Sequence, residues 1–331
     1  MIVDVHSHVV AEAMSTRNGT ESWRADLREV AGRKRLFQHG RELSSVIREF
    51  VEPARMAEEA RADGVDHLVL SPWVRLLPFE LPMDEARDVC RIQNLAMAEI
   101  VATDPERFSA LGSLPMQDPE LAAQELPGLR SDGLAGVELS AVMAGRFLGD
   151  DAFEPFWAAA EKTSALLFVH PTTRGLAMPV FDEHYLWNTV ANPMETAVTG
   201  AHLVMSGVLE RHPGLRIVLA HGGGALPALR GRLRHAYEAV PAAGTRLQNS
   251  PEVSLRRLYY DTITHDRSLL MRLIEDFGAG QVLLGSDRPF DMGSPDPVGD
   301  VRALGLPEAD ERAVLGATAA SLLGPRVVAK P

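Results

Sequence analysis

The chain has 331 residues, of which 46% are hydrophobic and 24% are charged, a balance typical of a globular protein with one large core or two modest ones. Its formal net charge of −12 argues against nucleic acid and anionic membranes as partners. Because no apolar run is long enough to span a bilayer, no leader peptide is recognisable and the only cysteine is Cys90, we expect a soluble cytoplasmic protein without an intrachain disulfide.

Short apolar strands alternate with stretches of helical periodicity along the chain. The predicted strands are Ile2–His6, His67–Ser71, Ser109–Leu114, Gly136–Leu139, Ala165–His170, Arg216–His221, Leu258–Thr262 and Gln281–Ser286. The predicted helices are Pro53–Asp63, Met83–Thr103, Asp118–Leu129, Phe153–Lys162, Pro193–Arg211, Leu226–Tyr237, Ser268–Phe277 and Glu308–Ala317. Eight βα units, with no glycine-rich dinucleotide fingerprint after the first strand, predict a closed (β/α)8 TIM barrel in the α/β class, with residues 1–331 as one domain.

Two segments exceed what such a barrel needs. Residues 11–52 are rich in charge and lack a strong period, so they predict an elaborated loop inserted after strand 1. Residues 171–192, PTTRGLAMPVFDEHYLWNTVAN, predict a long loop after strand 5. Both rise from the carboxyl ends of the strands, which is where barrel enzymes build their active sites.

The first strand carries two histidines in the stretch Asp4-Val5-His6-Ser7-His8. Residues two apart on a strand share a face, so His6 and His8 project side by side, with Asp4 one step further back on that face. Paired imidazoles suit a divalent metal, although this motif alone is a weak signal.

Four stretches place a polar residue at or just beyond the end of a predicted strand: VDVHSH, LLFVHP, RIVLAHGGG and QVLLGSDRPF. They contribute His6 and His8, His170, His221 and Asp287. Because strand ends converge on the axis of a barrel, these residues are expected to meet although they are far apart in sequence. Singly, each histidine is equally well explained as a capped core residue.

These four motifs, together with LGSLPMQDPELAAQEL (111–126), NPMETA (192–197) and VMSGVLERHPGLRI (204–217), resemble the amidohydrolase superfamily. The resemblance is closest to its branch of metal-dependent decarboxylases of the aminocarboxymuconate semialdehyde type. It implies that the metal ligands are His6, His8, His170 and Asp287. It further implies that His221 acts as the general base on a metal-bound water and that Asp287 also takes part in catalysis.

One divalent metal is expected. Many members of the superfamily hold two, bridged by a carboxylated lysine at the end of strand 4, but that strand reads AGVELS here and offers only Glu138. Glu138 is interpreted either as a structural ion-pair residue or as a pocket residue. Three nitrogens and one carboxylate oxygen favour zinc, with manganese as the alternative.

A small-molecule carboxylate substrate requires a positive group, for which arginine is well suited. The resemblance indicates Arg232, which in the family reaches across a dimer interface, so a homodimer is expected. Further candidates for substrate binding are Arg174, after strand 5, Arg288, after strand 8, and Arg75 near the mouth. Since these positions depart from the family pattern, the substrate is expected to differ from aminocarboxymuconate semialdehyde.

Two functions remain open on this sequence. The first is non-oxidative decarboxylation of an aromatic or unsaturated, muconate-type carboxylic acid. The alternative is hydrolysis of a lactone, an amide or a vinylogous C–C bond at the same metal. His265 and His184 are further candidates to line the pocket, and Gly222, Gly223 and Gly224 form either a tight turn or a ligand-binding backbone segment.

Overall fold

The computed structural model of the protein describes residues 1–38, 40–44, 52–172 and 175–324. Eight parallel strands form a single sheet in chain order. They are β1 (Val3–Val9), β2 (His67–Pro72), β3 (Phe108–Gly112), β4 (Gly136–Ser140), β5 (Leu166–His170), β6 (Arg216–Leu219), β7 (Tyr259–Asp261) and β8 (Val282–Leu283).

The two ends of this sheet meet. The backbone N–H of Val5 donates to the carbonyl of Leu284 at 2.9 Å, and the N–H of Asp287 donates to the carbonyl of His6 at 2.8 Å. These bonds join β1 to the segment that follows β8, so the predicted (β/α)8 barrel is confirmed.

Helices follow the strands around the barrel. The longer ones are α1 (Pro53–Ala62), α2 (Met83–Thr103), α3 (Pro119–Ser131), α4 (Glu154–Thr163), α5 (Asn192–Met205), α6 (Leu226–Ala239) and α7 (Arg267–Phe277). Short helical segments follow, at Val208–Arg211, Pro251–Leu255, Pro297–Arg302, Glu308–Arg312, Ala313–Ala317 and Thr318–Leu323. The predicted helix Pro193–Arg211 is interrupted because Gly207 adopts a left-handed conformation with φ of 76°. No helix among the described residues is long and apolar enough to cross a membrane.

The last three strands are shorter than predicted. The sequence indicates strands that run to His221 and Ser286, whereas β6 ends at Leu219 and β8 at Leu283. Beyond the ends of β6 and β8, His221 and Asp287 take left-handed backbone conformations with φ of 57° and 61°, so regular strand geometry does not extend through either residue.

Residues inserted after β1 contain ordered strands rather than the irregular loop that the sequence predicts. Segments Asp26–Val30, Arg33–Gln38 and Arg41–Ser44 form a three-stranded antiparallel sheet. A two-residue turn with positive φ at Ala31 and Gly32 joins the first two strands, as in the common tight hairpin. Many residues of these strands are charged, which hides the apolar alternation in the sequence; among the side chains whose burial is described there, Leu36 is the fully buried one.

Candidate metal centre

A bulge in β1 determines which of its side chains reach the barrel axis. Asp4 pairs with Leu68 of β2 and Ser7 pairs with Leu70, so β1 holds one residue more than β2 in this interval. The extra residue shifts the alternation of side chains between the two faces of β1, so Asp4 and His6 point to opposite faces although they are two residues apart. The expectation that Asp4 shares the face of the two histidines is wrong: its carboxylate accepts instead from the backbone N–H of Ser286 at 3.1 Å.

Three ligand atoms form a tight triangle at the carboxyl end of the barrel. His6 Nε2 lies 3.0 Å from His8 Nε2, and each of these nitrogens lies 3.3 Å from Asp287 Oδ1. Ligand atoms bound to one metal at 2.0–2.1 Å in a tetrahedral site are about 3.3 Å apart. The three atoms thus lie at about the separation expected of ligands that share one cation.

His170 completes the surroundings of this triangle. Its ring centroid lies 5.2 Å from that of His6 and 4.8 Å from that of His8. Nδ1 of His170 is 2.9 Å from the carbonyl of Pro171, which assigns the ring hydrogen to Nδ1. Nε2 is buried and has no hydrogen-bond partner among the described residues. A buried imidazole nitrogen with a free lone pair fits a metal ligand.

His221 approaches the same carboxylate from its other side. Its Nε2 lies 3.6 Å from Asp287 Oδ2, whereas His6 and His8 face Oδ1. One ligand atom each from His6, His170, His221 and Asp287 lies within 4.8 Å of all the others, and His8 is not a member of this mutually close set. The structure thus brings all five predicted residues together, and geometry alone allows either His8 or His221 as a ligand.

Asp261, at the end of β7, is a residue of the centre that the sequence analysis missed. Its Oδ2 lies 2.7 Å from His6 Nδ1, and its carboxylate also accepts from the backbone N–H groups of His221 at 2.9 Å, Gly222 at 2.8 Å and Ile263 at 3.0 Å. A carboxylate that accepts the Nδ1 hydrogen leaves Nε2 free for a metal. The available signal was its position, an acidic residue closing the buried strand 7.

Burial and mutual charge set the protonation of the cluster. Burial lowers the pKa of His6, but the carboxylates of Asp287 and Asp261 outweigh it and raise the pKa to about 10. Burial lowers the pKa of His8 to about 4 and moves the pKa of His170 well below its usual value. Burial raises the pKa of Asp287, yet the adjacent histidines hold it well below the ordinary range. The ionised carboxylate of Asp287 and the neutral rings of His8 and His170 are in the forms that bind a divalent cation, and the raised pKa of His6 reflects the negative charge around it.

The backbone at the mouth of the barrel is strained. His221, His265 and Asp287, which follow β6, β7 and β8, all have left-handed conformations, with φ of 57°, 54° and 61°. Such a conformation costs about 1–3 kcal/mol for a residue with a side chain, and it is concentrated at functional sites. This repetition at three neighbouring strand ends supports a functional role for the surface they share.

Glu138 lies inside the barrel on β4 and is fully buried. Its closest charged contact is His8, whose Nδ1 is 3.9 Å from Oε1. Burial raises the pKa of Glu138 well above its usual value; the charge on His6 acts in the opposite direction. At 3.9 Å this contact lies near the outer limit for an ion pair and is longer than a hydrogen bond.

A pocket of about 260 Å³ opens above the cluster. His221 and Asp287 form part of its floor, and Asn188 and Thr189 come from the long loop after β5. The remaining lining includes Ile263, Thr264, His265, Leu269 and Met292. His265 therefore lines the pocket as expected, whereas His184 is 82% exposed and is not among the lining residues.

Of the four arginines predicted to bind substrate, the three that lie in the described residues do not line this pocket. Arg288 turns outward and pairs with Asp63 at the end of α1, beside a separate cavity. Arg75 and Arg232 are exposed, the latter on α6. Arg174 lies outside the described residues. The sequence indicated the positions of these arginines along the chain but not the directions of their long side chains.

The three glycines after His221 are required by the local geometry. Gly222, Gly223 and Gly224 all have positive φ, of 61°, 76° and 59°. A Cβ at Gly224 would lie 2.1 Å from the carbonyl oxygen of Pro193. The tight-turn interpretation thus explains these residues, and a backbone contact to ligand stays a prediction.

Together, the barrel and its buried histidines and aspartate define a protein with a candidate divalent-metal centre at the carboxyl ends of parallel strands. The chain belongs to the amidohydrolase family, whose model matches residues 3–324. This confirms the family resemblance seen in the motifs.

Curated relatives of the chain are decarboxylases. It is 27% identical over 328 residues to the 2-amino-3-carboxymuconate-6-semialdehyde decarboxylase of Dictyostelium discoideum, an alignment covering 97% of this chain and 91% of the relative. It is 30% identical over 254 residues to the gamma-resorcylate decarboxylase of Rhodococcus jostii (strain RHA1), covering 69% of this chain and 74% of the relative.

Solved structures share the fold. The 5-carboxyvanillate decarboxylase of Novosphingobium aromaticivorans DSM 12444, complexed with manganese and 4-hydroxy-3-methoxy-5-nitrobenzoic acid, superposes with a TM-score of 0.82. Sequence identity is 19%, and the alignment covers 98% of this chain and 96% of that one. At this identity the likeness concerns the architecture of the barrel.

Proposed function

We propose that the protein is a metal-dependent enzyme that removes carbon dioxide, without oxidation, from an aromatic or unsaturated carboxylic acid. The observation that carries this proposal is the buried, unpartnered Nε2 of His170 beside the triangle of His6, His8 and Asp287, at the base of a pocket. The decarboxylase relatives support the reaction class.

His6, His8, His170 and Asp287 would hold one divalent cation. We assign His8 rather than His221 because His8 faces the same oxygen of Asp287 as His6, while His221 faces the other. When bound, the cation supplies a Lewis acid that stabilises negative charge on oxygen. Zinc suits three nitrogens and one oxygen, and the manganese of the structural neighbour makes that ion the alternative.

His221 would hold and move the proton that the reaction requires. Decarboxylation breaks the bond between the carboxylate and its carbon, leaves the electron pair on that carbon and replaces carbon dioxide with a proton. His221 lies at the pocket floor with its Nε2 directed at Asp287 Oδ2, so these two residues form a route for a proton to the reacting carbon.

The pocket suits a planar, partly apolar acid. Ile263, Leu269 and Met292 offer apolar surface, and Asn188 and Thr189 offer polar groups on the opposite loop. No arginine lines the pocket within the described part of the chain. Arg232 of a second copy, in a cytoplasmic homodimer, or Arg174 of the same chain would supply the charge that holds a carboxylate.

A substrate panel tests the reaction class. Purified protein, loaded with zinc or manganese, is offered the acids named by its relatives and its structural neighbour: gamma-resorcylate, 5-carboxyvanillate and aminocarboxymuconate semialdehyde. Release of carbon dioxide is measured beside ring opening of lactones and cleavage of amides. Carbon dioxide from any acid supports a decarboxylase, whereas hydrolysis alone would establish the alternative function. Elemental analysis of protein purified without added metal identifies the native ion.

A further inference from the structure

The side chains of Glu138 and His8 face each other inside the barrel without forming a hydrogen bond. Both are fully buried, and Oε1 of Glu138 lies 3.9 Å from Nδ1 of His8. Neither carboxylate oxygen of Glu138, nor Nδ1 of His8, has a hydrogen-bond partner among the described residues. Buried polar atoms are nearly always satisfied, so two such groups facing each other require an explanation.

The other inward-facing histidines, His6 and His170, have an acceptor at Nδ1 that His8 lacks at ordinary hydrogen-bond distance. Nδ1 of His6 has the Asp261 carboxylate at 2.7 Å, and Nδ1 of His170 has the Pro171 carbonyl at 2.9 Å. Each acceptor fixes the ring and keeps the hydrogen on Nδ1, so that Nε2 points into the cluster with its lone pair. His8 directs its Nε2 to the same cluster, and the nearest charged group to its Nδ1 is Glu138.

We infer that Glu138 is a positioning residue that accepts the Nδ1 hydrogen of His8 and so holds its Nε2 toward the metal. This inference rests on the metal centre of the proposed function. A shift of about 1 Å brings the two atoms to ordinary hydrogen-bond distance. A carboxylic acid retains an acceptor oxygen when protonated, so the role does not depend on the ionisation of Glu138.

A purely structural role explains the residue less well. A buried carboxylate without hydrogen bonds is costly, and replacing it with an apolar side chain of similar size commonly stabilises a fold. Glu138 is therefore expected to lower the stability of the fold rather than to raise it, and its place opposite His8 is better explained by orienting that side chain.

Metal binding by the full chain tests this assignment independently of catalysis. Chelator-stripped protein is titrated with Zn²⁺ against a chromophoric chelator, and its thermal unfolding is followed in parallel. We expect Glu138→Leu to weaken Zn²⁺ binding about 10–100-fold while raising the melting temperature of the metal-free protein. Glu138→Gln keeps an acceptor, so its affinity is expected within a few-fold of the wild type. Ser140→Ala, on the same strand, is the matched control and should bind Zn²⁺ normally.

A double-mutant cycle separates action through His8 from direct ligation. In a His8→Ala background, Glu138→Leu is expected to cause little further loss of Zn²⁺ affinity. Additive losses, or a Glu138→Gln variant as weak as Glu138→Leu, would make the carboxylate itself a ligand and overturn the inference. Normal affinity of Glu138→Leu overturns it too. If Glu138→Leu does not fold, Zn²⁺ affinity is measured instead for Glu138→Gln and for a double-mutant cycle built with Glu138→Met, and the same outcomes apply. Wild-type protein that binds no Zn²⁺ and no Mn²⁺ would instead refute the proposed function.

Discussion

The predicted metal ligands and the arginines predicted to bind substrate differ in whether the fold brings them together. The five residues expected at the centre lie together. Ligand atoms of His6, His8, His221 and Asp287 approach one another to 3.0–3.6 Å. The ligand atom of His170 lies within 4.8 Å of those of His6, His221 and Asp287. Of the arginines expected around the substrate, Arg288 pairs with Asp63 and two others are exposed on the surface. The residues of the centre lie on the strands or directly after them, whereas the described arginines predicted to bind substrate lie on loops and helices and do not line the pocket.

The largest expected effect comes from removing a ligand. His170→Ala should abolish turnover and reduce affinity for Zn²⁺ or Mn²⁺ by more than the roughly 10–100-fold typical of an outer partner. Elemental analysis and chelator competition measure this. His184→Ala, on an exposed side chain, is the control and should bind normally. Retention of full metal content by His170→Ala would remove it from the ligand set.

If His221 transfers a proton, its removal should reduce turnover without removing the metal. His221→Ala is expected to lower kcat about 10²–10⁴-fold with metal content close to that of the wild type. The control is His265→Ala, which alters the same pocket without touching Asp287. If the metal disappears from His221→Ala as well, His221 is a ligand and His8 is left as the outer residue.

Replacing Arg232 tests whether an arginine of one chain binds substrate in the pocket of a second chain. We expect Arg232→Ala to raise KM at least about tenfold by removing a charged hydrogen bond to the carboxylate. When the Arg232→Ala protein is mixed with inactive His221→Ala protein, activity should return. One site of a hybrid dimer then has a native His221 from one chain and a native Arg232 from the other. Absence of complementation in a mixture shown to contain hybrid dimers would place Arg232 outside the neighbouring site.

The smallest effect is expected at Arg288. Its ion pair with Asp63 is partly solvated, so Arg288→Ala and Asp63→Ala should each change the free energy of unfolding by about 0–1 kcal/mol. kcat/KM should stay within twofold, as measured on the best substrate of the panel. A tenfold loss of kcat/KM confined to Arg288→Ala would restore it to the substrate site.

Much of the centre was predictable because barrel geometry converts strand ends into neighbours. His6, His170 and Asp287 are separated by more than a hundred residues in each interval, yet each lies within, closes or follows a buried strand. Parallel strands in a closed sheet must place such residues around one axis. The pattern of alternation also indicated His6 and His8 correctly as a pair.

The failures have identifiable physical causes. Asp4 was placed on the wrong face because a bulge adds one residue, and bulges leave little trace in a period-2 pattern. Asp261 was overlooked because its role is expressed through hydrogen bonds to His6 and to three backbone amides, not through a motif. Arg288 was misjudged because a long side chain can leave the mouth of the barrel and find a carboxylate outside it.

The carboxylate of Asp261 has a consequence for how this protein can change. It fixes the ring of His6 through one oxygen and the backbone of His221 through the same atom. The spacing between the imidazole that would hold the cation and the imidazole that would carry the proton is therefore set by one side chain. The pocket walls are formed by other residues, so a change in them leaves this spacing in place, whereas a displacement of Asp261 would shift both imidazoles.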